Sequence, residues 1–332
     1  MPSTSLISES TPEAGESEGA SPVLGAPRAR KVMKDRRRRS SRRTPWAYFV
    51  FPLPAFVLYV VFFVIPTLQT VQYSITNWDG YSANYDLVGL DNFARAVTGD
   101  ALFTNAFVNN MKFMMVVVVG QTVLALILSV LLVRNTKTTI FLRALYFFPT
   151  ILSSVSVGFI WKFVYDPNFG VINGLLGRLG LSEAQSSFLG NDDQAIYWLS
   201  ITQIWFHAGM MVVIFVAGLQ AIPAELYESA EVDGASRWQQ FWSITWPLIA
   251  PAMSIVVAYT TIQSFKAFDL VLSISGNPPS SSLDILSTRI YSSFANSEMG
   301  YAATESVLFI AAIVAITFAL RRFLRLVQRG ES

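Results

Sequence analysis

Residues 106–133 read AFVNNMKFMMVVVVGQTVLALILSVLLV, and only one of them, Lys112, is charged. An α-helix rises about 1.5 Å per residue and needs about 20 apolar residues to cross the roughly 30 Å hydrocarbon core of a bilayer. This stretch is long enough and apolar enough to do so. It therefore predicts a transmembrane helix and makes a membrane, rather than water, the solvent around much of the chain.

Five further stretches have a similar length and apolar character. The six predicted spans are Phe49–Ile75, Ala106–Val133, Ile140–Tyr165, Ala195–Leu219, Leu248–Ile274 and Tyr301–Leu324. The composition agrees with them, because 52% of the 332 residues are hydrophobic and only 14% are charged. A transmembrane barrel would instead show segments of about ten residues with alternating polarity. The predicted fold class is therefore an all-α membrane protein with six transmembrane helices.

A basic block precedes the first span: ten of the 24 Lys and Arg residues lie between Arg28 and Arg43. Residues 1–44 carry too few large apolar side chains to offset the entropy of ordering, so they predict a disordered basic tail, with residues 45–329 forming the membrane domain. Positive charge gathers on the cytoplasmic side of membrane proteins. We therefore expect a multi-pass protein of the cell membrane with both termini in the cytoplasm. The block has no interleaved aromatics, and no nucleic-acid partner is predicted.

The residue inventory argues against several kinds of chemistry. The chain has no cysteine and one histidine, which rules out disulfides and thiol chemistry and leaves no soft or imidazole metal cluster. No nucleophile, base and orienting group stand at a recognisable spacing, and the phosphate-binding pattern G-x-x-x-x-G-K-[ST] is missing. We expect no cofactor, no metal and no enzymatic activity. If transport is active, a separate subunit must hydrolyse ATP.

The loop between the fourth and fifth spans, residues 220–247, reads QAIPAELYESAEVDGASRWQQFWSITWP. Pro223 suits a first helical turn, and Asp233-Gly234 is a helix stop signal. Glutamates recur at every third residue between them, and the following aromatic stretch is typical of a membrane surface. The pattern predicts a short acidic helix beside the membrane. Its carboxylates could dock in a basic groove of another protein or simply face water, and the spacing leaves both readings open.

Within this loop, Glu228-Ser229-Ala230 and Asp233-Gly234-Ala235 closely resemble the E-A-A-x-x-D-G-A consensus of ABC importer permeases, with Ser229 in place of the middle Ala. The similarity covers most of residues 45–325 and is greatest to the carbohydrate type, related to the maltose and glycerol-3-phosphate importer permeases. Further similar elements are Asn77–Gly80, Val88–Phe93, Asp166–Asn173 and Met299–Ala302. Gly276–Pro279 departs from the pattern, because relatives often carry a run of glycines before the proline.

The resemblance implies a type I ABC importer permease fold, in which six spans carry a cytoplasmic coupling helix. It implies four kinds of partner: a second homologous permease subunit, a dimer of ATP-binding subunits, an extracytoplasmic substrate-binding protein, and a sugar or oligosaccharide substrate. Polyols and glycerol phosphates stay open as substrates. The residues that would couple to the ATPase are Glu228, Ser229, Ala230, Asp233, Gly234 and Ala235.

The main alternative function is a secondary transporter or channel driven by an ion gradient. Such a protein is expected to carry carboxylates within its spans or an inverted repeat. Neither is evident in the sequence.

Polar side chains within the predicted spans are candidate contacts for a sugar. Ser200, Gln203 and His207 fall on one face of the fourth span, and Tyr259 and Gln263 share a face of the fifth. Their hydroxyl, amide and imidazole groups could replace water around sugar hydroxyls. Similar groups hydrogen-bond across helices in membrane bundles, so a packing role is the alternative.

Overall fold

A computed structural model describes residues 50–329, with side chains described as far as Phe323. All regular structure in this range is helical, and one isolated antiparallel bridge pairs Thr76 with Leu87. The α-helices are α1 (Leu53–Tyr73), α2 (Asp91–Ala94), α3 (Ala101–Leu132), α4 (Lys137–Phe147), α5 (Ser154–Val164), α6 (Val171–Arg178), α7 (Ala195–Gln220), α8 (Ala224–Val232), α9 (Arg237–Gln240), α10 (Trp246–Leu248), α11 (Ala250–Phe265), α12 (Phe268–Ser275), α13 (Leu286–Ala295) and α14 (Met299–Arg329). The predicted disordered tail, residues 1–44, lies outside the described residues.

Short helical turns of other types interrupt or extend these helices. A π-helical turn, Val60–Val64, lies within α1, and two others, Arg95–Gly99 and Phe241–Thr245, follow α2 and α9. The 3-10 turns are Phe148–Ile151, after α4, and Ser182–Ala184.

Four helices of the described residues are long and apolar enough to cross a membrane: α1, α3, α7 and α14. Two bent pairs, Lys137–Ile151 with Ser154–Val164 and Arg237–Leu248 with Ala250–Phe265, bring the number to six if each pair is one span. These elements lie where the hydropathy pattern predicts spans. Helix α3 begins five residues earlier than predicted, because the Asp100 carboxylate caps it by accepting hydrogen bonds from the N–H of Leu102 at 2.8 Å and of Phe103 at 3.0 Å.

The third and fifth spans are not continuous helices. The third bends by 97° between Ile151 and Ser154, and the segment Arg237–Leu248 meets the start of the fifth at Ile249 with an angle of 64°. Pro149 and Pro251 stand within two residues of these breaks. Proline has no N–H for the helical hydrogen bond, and its ring crowds the preceding turn. The predicted third span is therefore divided between α4 and α5, and the predicted fifth span is divided between α11 and α12.

The core lies between the second, fourth and fifth spans. Within its most apolar stretch, α7 is 67% buried, against 39% for α3, along which it packs. Glycines permit close approach: a Cβ on Gly209 of α7 would meet the Tyr146 backbone, and one on Gly158 of α5 would meet the Ser273 side chain. The second contact lets α5 and α12 pack side by side.

Helix α1 lies at the periphery, and none of its most apolar stretch is buried. Its end is held to α14, because the Thr304 hydroxyl donates to the Ser74 carbonyl at 2.7 Å and the Gly300 N–H donates to the Trp78 carbonyl at 2.8 Å. A whole apolar helix therefore faces the surroundings, as expected of a chain that works in lipid or beside another subunit.

Asparagines fasten the loop after the fifth span to α3. The side-chain amides of Asn105 and Asn109 donate to the Ser281 carbonyl at 2.6 and 2.9 Å. The Asn110 side-chain oxygen accepts the N–H of Leu286 at 3.3 Å. These hydrogen bonds hold the loop against the start of α3.

Candidate functional sites in the loop 220–247 and within the spans

Helix α8 occupies the segment that the sequence predicts as a short acidic helix. Pro223 directly precedes it, and it ends in a Schellman motif, in which the Ala235 N–H donates to the Ala230 carbonyl at 2.8 Å and the Gly234 N–H to the Glu231 carbonyl at 3.1 Å. Gly234 has a φ of +79°, in the left-handed region that costs other residues about 1–2 kcal/mol. The helix therefore begins and ends where its proline and glycine predict.

Side-chain hydrogen bonds hold α8 to the segment that follows it. The hydroxyls of Tyr227 and Thr245 lie 2.9 Å apart, and the Gln240 side chain donates to the Ala235 carbonyl at 3.1 Å. Ser236 caps α9, and its backbone N–H donates to the Gln239 side chain at 2.8 Å. The loop is thus a folded unit with a defined surface.

That surface is acidic. The exposed carboxylates are those of Glu225, Glu228, Glu231 and Asp233. No ion pair among the described residues involves them. Of the other predicted coupling residues, Ser229 and Gly234 are exposed, whereas Ala230 and Ala235 are half-buried and supply backbone groups to the helix cap. A rigid helix with four free carboxylates is suited to a basic groove on another protein.

A small polar cavity lies about halfway along α7. Its lining residues are Ser154, Gln203, Phe206, His207, Gln263, Lys266, Ala267, Asp269 and Leu270. Its volume of about 80 Å³ holds a few water molecules but falls short of the roughly 300 Å³ at which small-molecule sites begin. In this conformation the cavity is too small for a sugar ring.

Three of the five predicted pathway residues, Gln203, His207 and Gln263, meet at this cavity. The other two do not reach it. Ser200 is buried and donates its hydroxyl to the Ile196 carbonyl, one turn earlier in α7, at 2.7 Å. Tyr259 is 37% exposed and lies outside the lining.

Two helices begin at the cavity, because α5 starts at Ser154 and α12 starts between the lining residues Ala267 and Asp269. The first N–H groups of a helix have no partner within the helix, and the helix dipole is positive at that end. The sequence analysis missed Ser154 because a continuous third span has no helix start there. Pro149 was the signal for the break. Lys266 and Asp269, which are not among the predicted pathway residues, also line the cavity.

Polar atoms at the cavity have unused hydrogen-bonding capacity. His207 Nδ1 and Gln263 Oε1 are buried and have no hydrogen-bond partner within the described residues. Leaving such an atom unpaired costs about 1–3 kcal/mol. A water molecule or a solute hydroxyl in the cavity could complete these bonds.

The expectation that the spans contain no carboxylate is wrong, because Glu305 lies within the sixth predicted span. Glu305 is fully buried, and its carboxylate lies 3.4 Å from Arg289 Nε, while Arg289 Nη2 lies 3.1 Å from Asp100 Oδ2. Burial opposes ionisation of Asp100, but hydrogen bonds from the Phe103 N–H and the Tyr301 hydroxyl lower its pKa below the ordinary value. The Arg289 guanidinium is thus hydrogen-bonded to Asp100 and forms an ion pair with Glu305 that is not a hydrogen bond.

Comparison with known proteins gives consistent matches over most of the chain. Residues 121–330 match the family described as binding-protein-dependent transport system inner membrane component. The multiple sugar-binding transport system permease protein MsmF of Streptococcus mutans is 34% identical over 80% of this chain and 90% of its own length. The diacetylchitobiose uptake system permease protein NgcF of Streptomyces coelicolor is 33% identical over 92% of this chain and 88% of its own length.

More distant matches bear on the type of permease and on the fold. A permease protein of the trehalose/maltose system of Thermococcus litoralis is 27% identical over 81% of this chain and 90% of its own length. A permease protein of the sn-glycerol-3-phosphate system of Agrobacterium fabrum is 28% identical over 83% of this chain and 93% of its own length. The resemblance to these permease types is thereby confirmed. A chain from a bacterial alginate ABC transporter structure, in complex with alginate pentasaccharide-bound periplasmic protein, has a TM-score of 0.73 at 20% identity, covering 85% of this chain and 95% of that one. This likeness confirms the predicted permease fold.

Proposed function

The chain belongs to the family of binding-protein-dependent transport system inner membrane components, and from that premise we propose that it is the permease subunit of an ATP-driven importer of a sugar or oligosaccharide. Relatives named for sugar uptake match along most of their length, which supports this substrate class. A glycerol-3-phosphate permease is also similar, and the solutes named for these relatives share a hydroxyl-rich character.

The observation that carries the proposal is the acidic helix α8, held rigidly by its cap and by Tyr227, with its carboxylates exposed. Rigidity matters because a coupling element must transmit movement rather than absorb it. In the proposed complex, α8 lies in the cytoplasm and enters a cleft of an ATP-binding subunit. Closure of the ATPase dimer then moves α8, and with it the start of the fifth span.

The polar cavity supplies the proposed pathway. Gln203, His207 and Gln263 offer donors and acceptors to a solute, and the starts of α5 and α12 add backbone N–H groups. The cavity must widen for a sugar to pass, which fits a pathway closed in one state and open in another. The breaks beside Pro149 and at Ile249 divide the spans into segments that can move relative to one another.

The proposed assembly contains this chain, a second related permease subunit, two ATP-binding subunits and an extracytoplasmic binding protein. The alginate transporter structure, which is in complex with an alginate pentasaccharide-bound periplasmic protein, supports the last of these partners by fold similarity. Both termini are placed in the cytoplasm, on the same side as α8.

The proposal is tested by purifying the affinity-tagged chain from its native membrane in a mild detergent and identifying co-purified proteins by mass spectrometry. We expect an ATP-binding subunit and a second permease. When reconstituted with the binding protein, this complex should take up sugar only with ATP. A folded chain recovered alone that transports on an ion gradient without ATP would overturn the proposal in favour of a secondary transporter.

A further inference from the structure

The segment Arg237–Leu248 leads from α8 into the fifth span and makes an angle of 64° with it. Trp242 lies eight residues before Ala250, the first residue of α11, and Trp238 lies twelve before it. At about 1.5 Å per residue these separations are roughly 12 and 18 Å of helix. Because of the 64° angle, less than half of that length runs along the span axis. The Cα atoms of the two tryptophans therefore lie only about 5 and 8 Å beyond the level where the span begins.

Two of the aromatic side chains in this segment point outward. Trp238 is 70% exposed and Trp242 is 47% exposed, and their ring centroids are 5.6 Å apart. Phe241 and Trp246 pack behind them, with centroids 5.3 and 5.5 Å from that of Trp242. The result is one continuous aromatic surface with a half-buried base and an exposed edge.

We propose that Trp238 and Trp242 insert into the lipid interface of the cytoplasmic leaflet and anchor the coupling loop to the bilayer. The polar interface of a bilayer is about 5–7 Å thick on each side, so the Cα of Trp242 lies within it and that of Trp238 lies about 1 Å beyond it, within reach of its indole. Tryptophan favours this zone because its ring is apolar and its N–H can still reach water or a headgroup. The exposed Arg237 beside them is suited to a lipid phosphate.

Continuity with the fifth span favours lipid over a protein partner for this surface. The segment joins a membrane-crossing helix directly, so it cannot leave the membrane surface without moving that span. The bonds Tyr227 to Thr245 and Gln240 to Ala235 attach α8 to the same segment. Lipid contact thus sets the height at which α8 stands above the membrane. The cytoplasmic assignment of this leaflet rests on the proposed function, whereas the lipid contact does not.

The absence of cysteine from the chain allows a direct test, because a single introduced cysteine can be labelled without background. The full-length variants Trp238→Cys and Trp242→Cys carry a nitroxide spin label and are reconstituted into phosphatidylethanolamine–phosphatidylglycerol vesicles. Collision rates with oxygen, which partitions into lipid, and with a water-soluble nickel complex then report depth. Val232→Cys is the matched control, because Val232 is 88% exposed on α8 in the same loop.

We expect the oxygen-to-nickel ratio at positions 238 and 242 to exceed that at 232 several-fold. Intrinsic fluorescence gives a second readout: lipids brominated near the headgroup should quench wild type more than the variant W238F/W242F, which keeps aromatic rings in place. Nickel access at 238 and 242 as high as at 232 overturns the proposal. Protection that appears only after ATP-binding subunits are added assigns the surface to protein contact instead. Neither readout uses ATP or substrate, so the result is independent of whether transport is observed.

Discussion

At the scale of single residues, Arg289 takes part in two of the three ion pairs among the described residues. Its guanidinium lies between the carboxylates of Asp100, at 3.1 Å, and Glu305, at 3.4 Å. Its side chain is only 13% exposed. A buried charge that loses its partner costs several kcal/mol, because neither water nor another group replaces the interaction. This residue joins the start of α3, helix α13 and the first two turns of α14.

We predict that Arg289→Ala destabilises the protein by about 3–5 kcal/mol, the usual cost of breaking a buried pair. The fraction that remains folded in detergent on heating should fall accordingly. Arg95→Ala is the matched control, because Arg95 also pairs with a carboxylate, that of Glu298, but its side chain is 49% exposed. Exposed pairs contribute about 0–1 kcal/mol. Equal effects of the two substitutions would contradict the central role given to Arg289.

Gly158 permits the close contact of α5 with α12, because it has no Cβ. A Cβ at this position would collide with the Ser273 side chain at the contact of α5 with α12. We predict that Gly158→Ala separates these helices and lowers both thermal stability and transport. The control Gly174→Ala adds the same atom where nothing lies within 4 Å, in helix α6. There it should be neutral or stabilise by about 0.5–1 kcal/mol through helix propensity. Melting temperatures of the two variants in one detergent distinguish them.

At the scale of elements, α8 shows how local signals build a rigid helix. Its ends are set by Pro223 and Gly234, and its Schellman cap needs a left-handed residue. The same cap closes α6, where the Leu181 N–H donates to the Leu176 carbonyl at 2.9 Å and Gly180 has a φ of +74°. Two chemically matched caps thus stand on different loops of one chain.

This pair supports a prediction about coupling. Gly234→Val should distort the end of α8 through backbone strain of about 1–2 kcal/mol, since no neighbouring atom lies within 4 Å of the new Cβ. We expect ATP-driven uptake and substrate-stimulated ATP hydrolysis to fall several-fold in an assembled complex. Gly180→Val introduces the same strain in the loop after α6 and should leave both activities near wild type. Unchanged coupling in the Gly234 variant would count against the role of α8.

At the scale of the whole molecule, the polar cavity exists only because distant segments converge. Gln203 and His207 come from α7, Gln263 and Lys266 from the end of α11, and Ser154 from the start of α5. Each group alone resembles a packing residue. Together they form a polar site about halfway along α7.

We predict that Gln203→Ala and His207→Ala each raise the sugar concentration for half-maximal uptake. Loss of one hydrogen bond of about 0.5–1.5 kcal/mol corresponds to roughly 2- to 12-fold. Ser200→Ala is the control on the same helix, because its hydroxyl is already bonded to the Ile196 carbonyl. Uptake by reconstituted complexes over a range of sugar concentrations measures the effect. Equal shifts for all three variants would place the pathway elsewhere.

Patterns read over a few residues already determine much of this protein. Long apolar runs predict the spans because each needs about 20 residues to cross the hydrocarbon core. Pro223 and Gly234 predict both ends of α8, because a fixed φ and a positive φ are properties of single residues. The family could be identified from the same loop because its motif is a short run of neighbouring residues.

The tertiary structure alone decided the remaining features. The bends of 97° and 64° depend on how the spans pack, because proline permits a kink but does not set its angle. The cavity brings together Gln203 and Gln263, which are 60 positions apart. The ion pairs bring together Asp100, Arg289 and Glu305, and Asp100 lies about 200 positions from the other two. Periodicity carries no information on such contacts, because it reports which face of a helix a residue occupies and not which helix it meets.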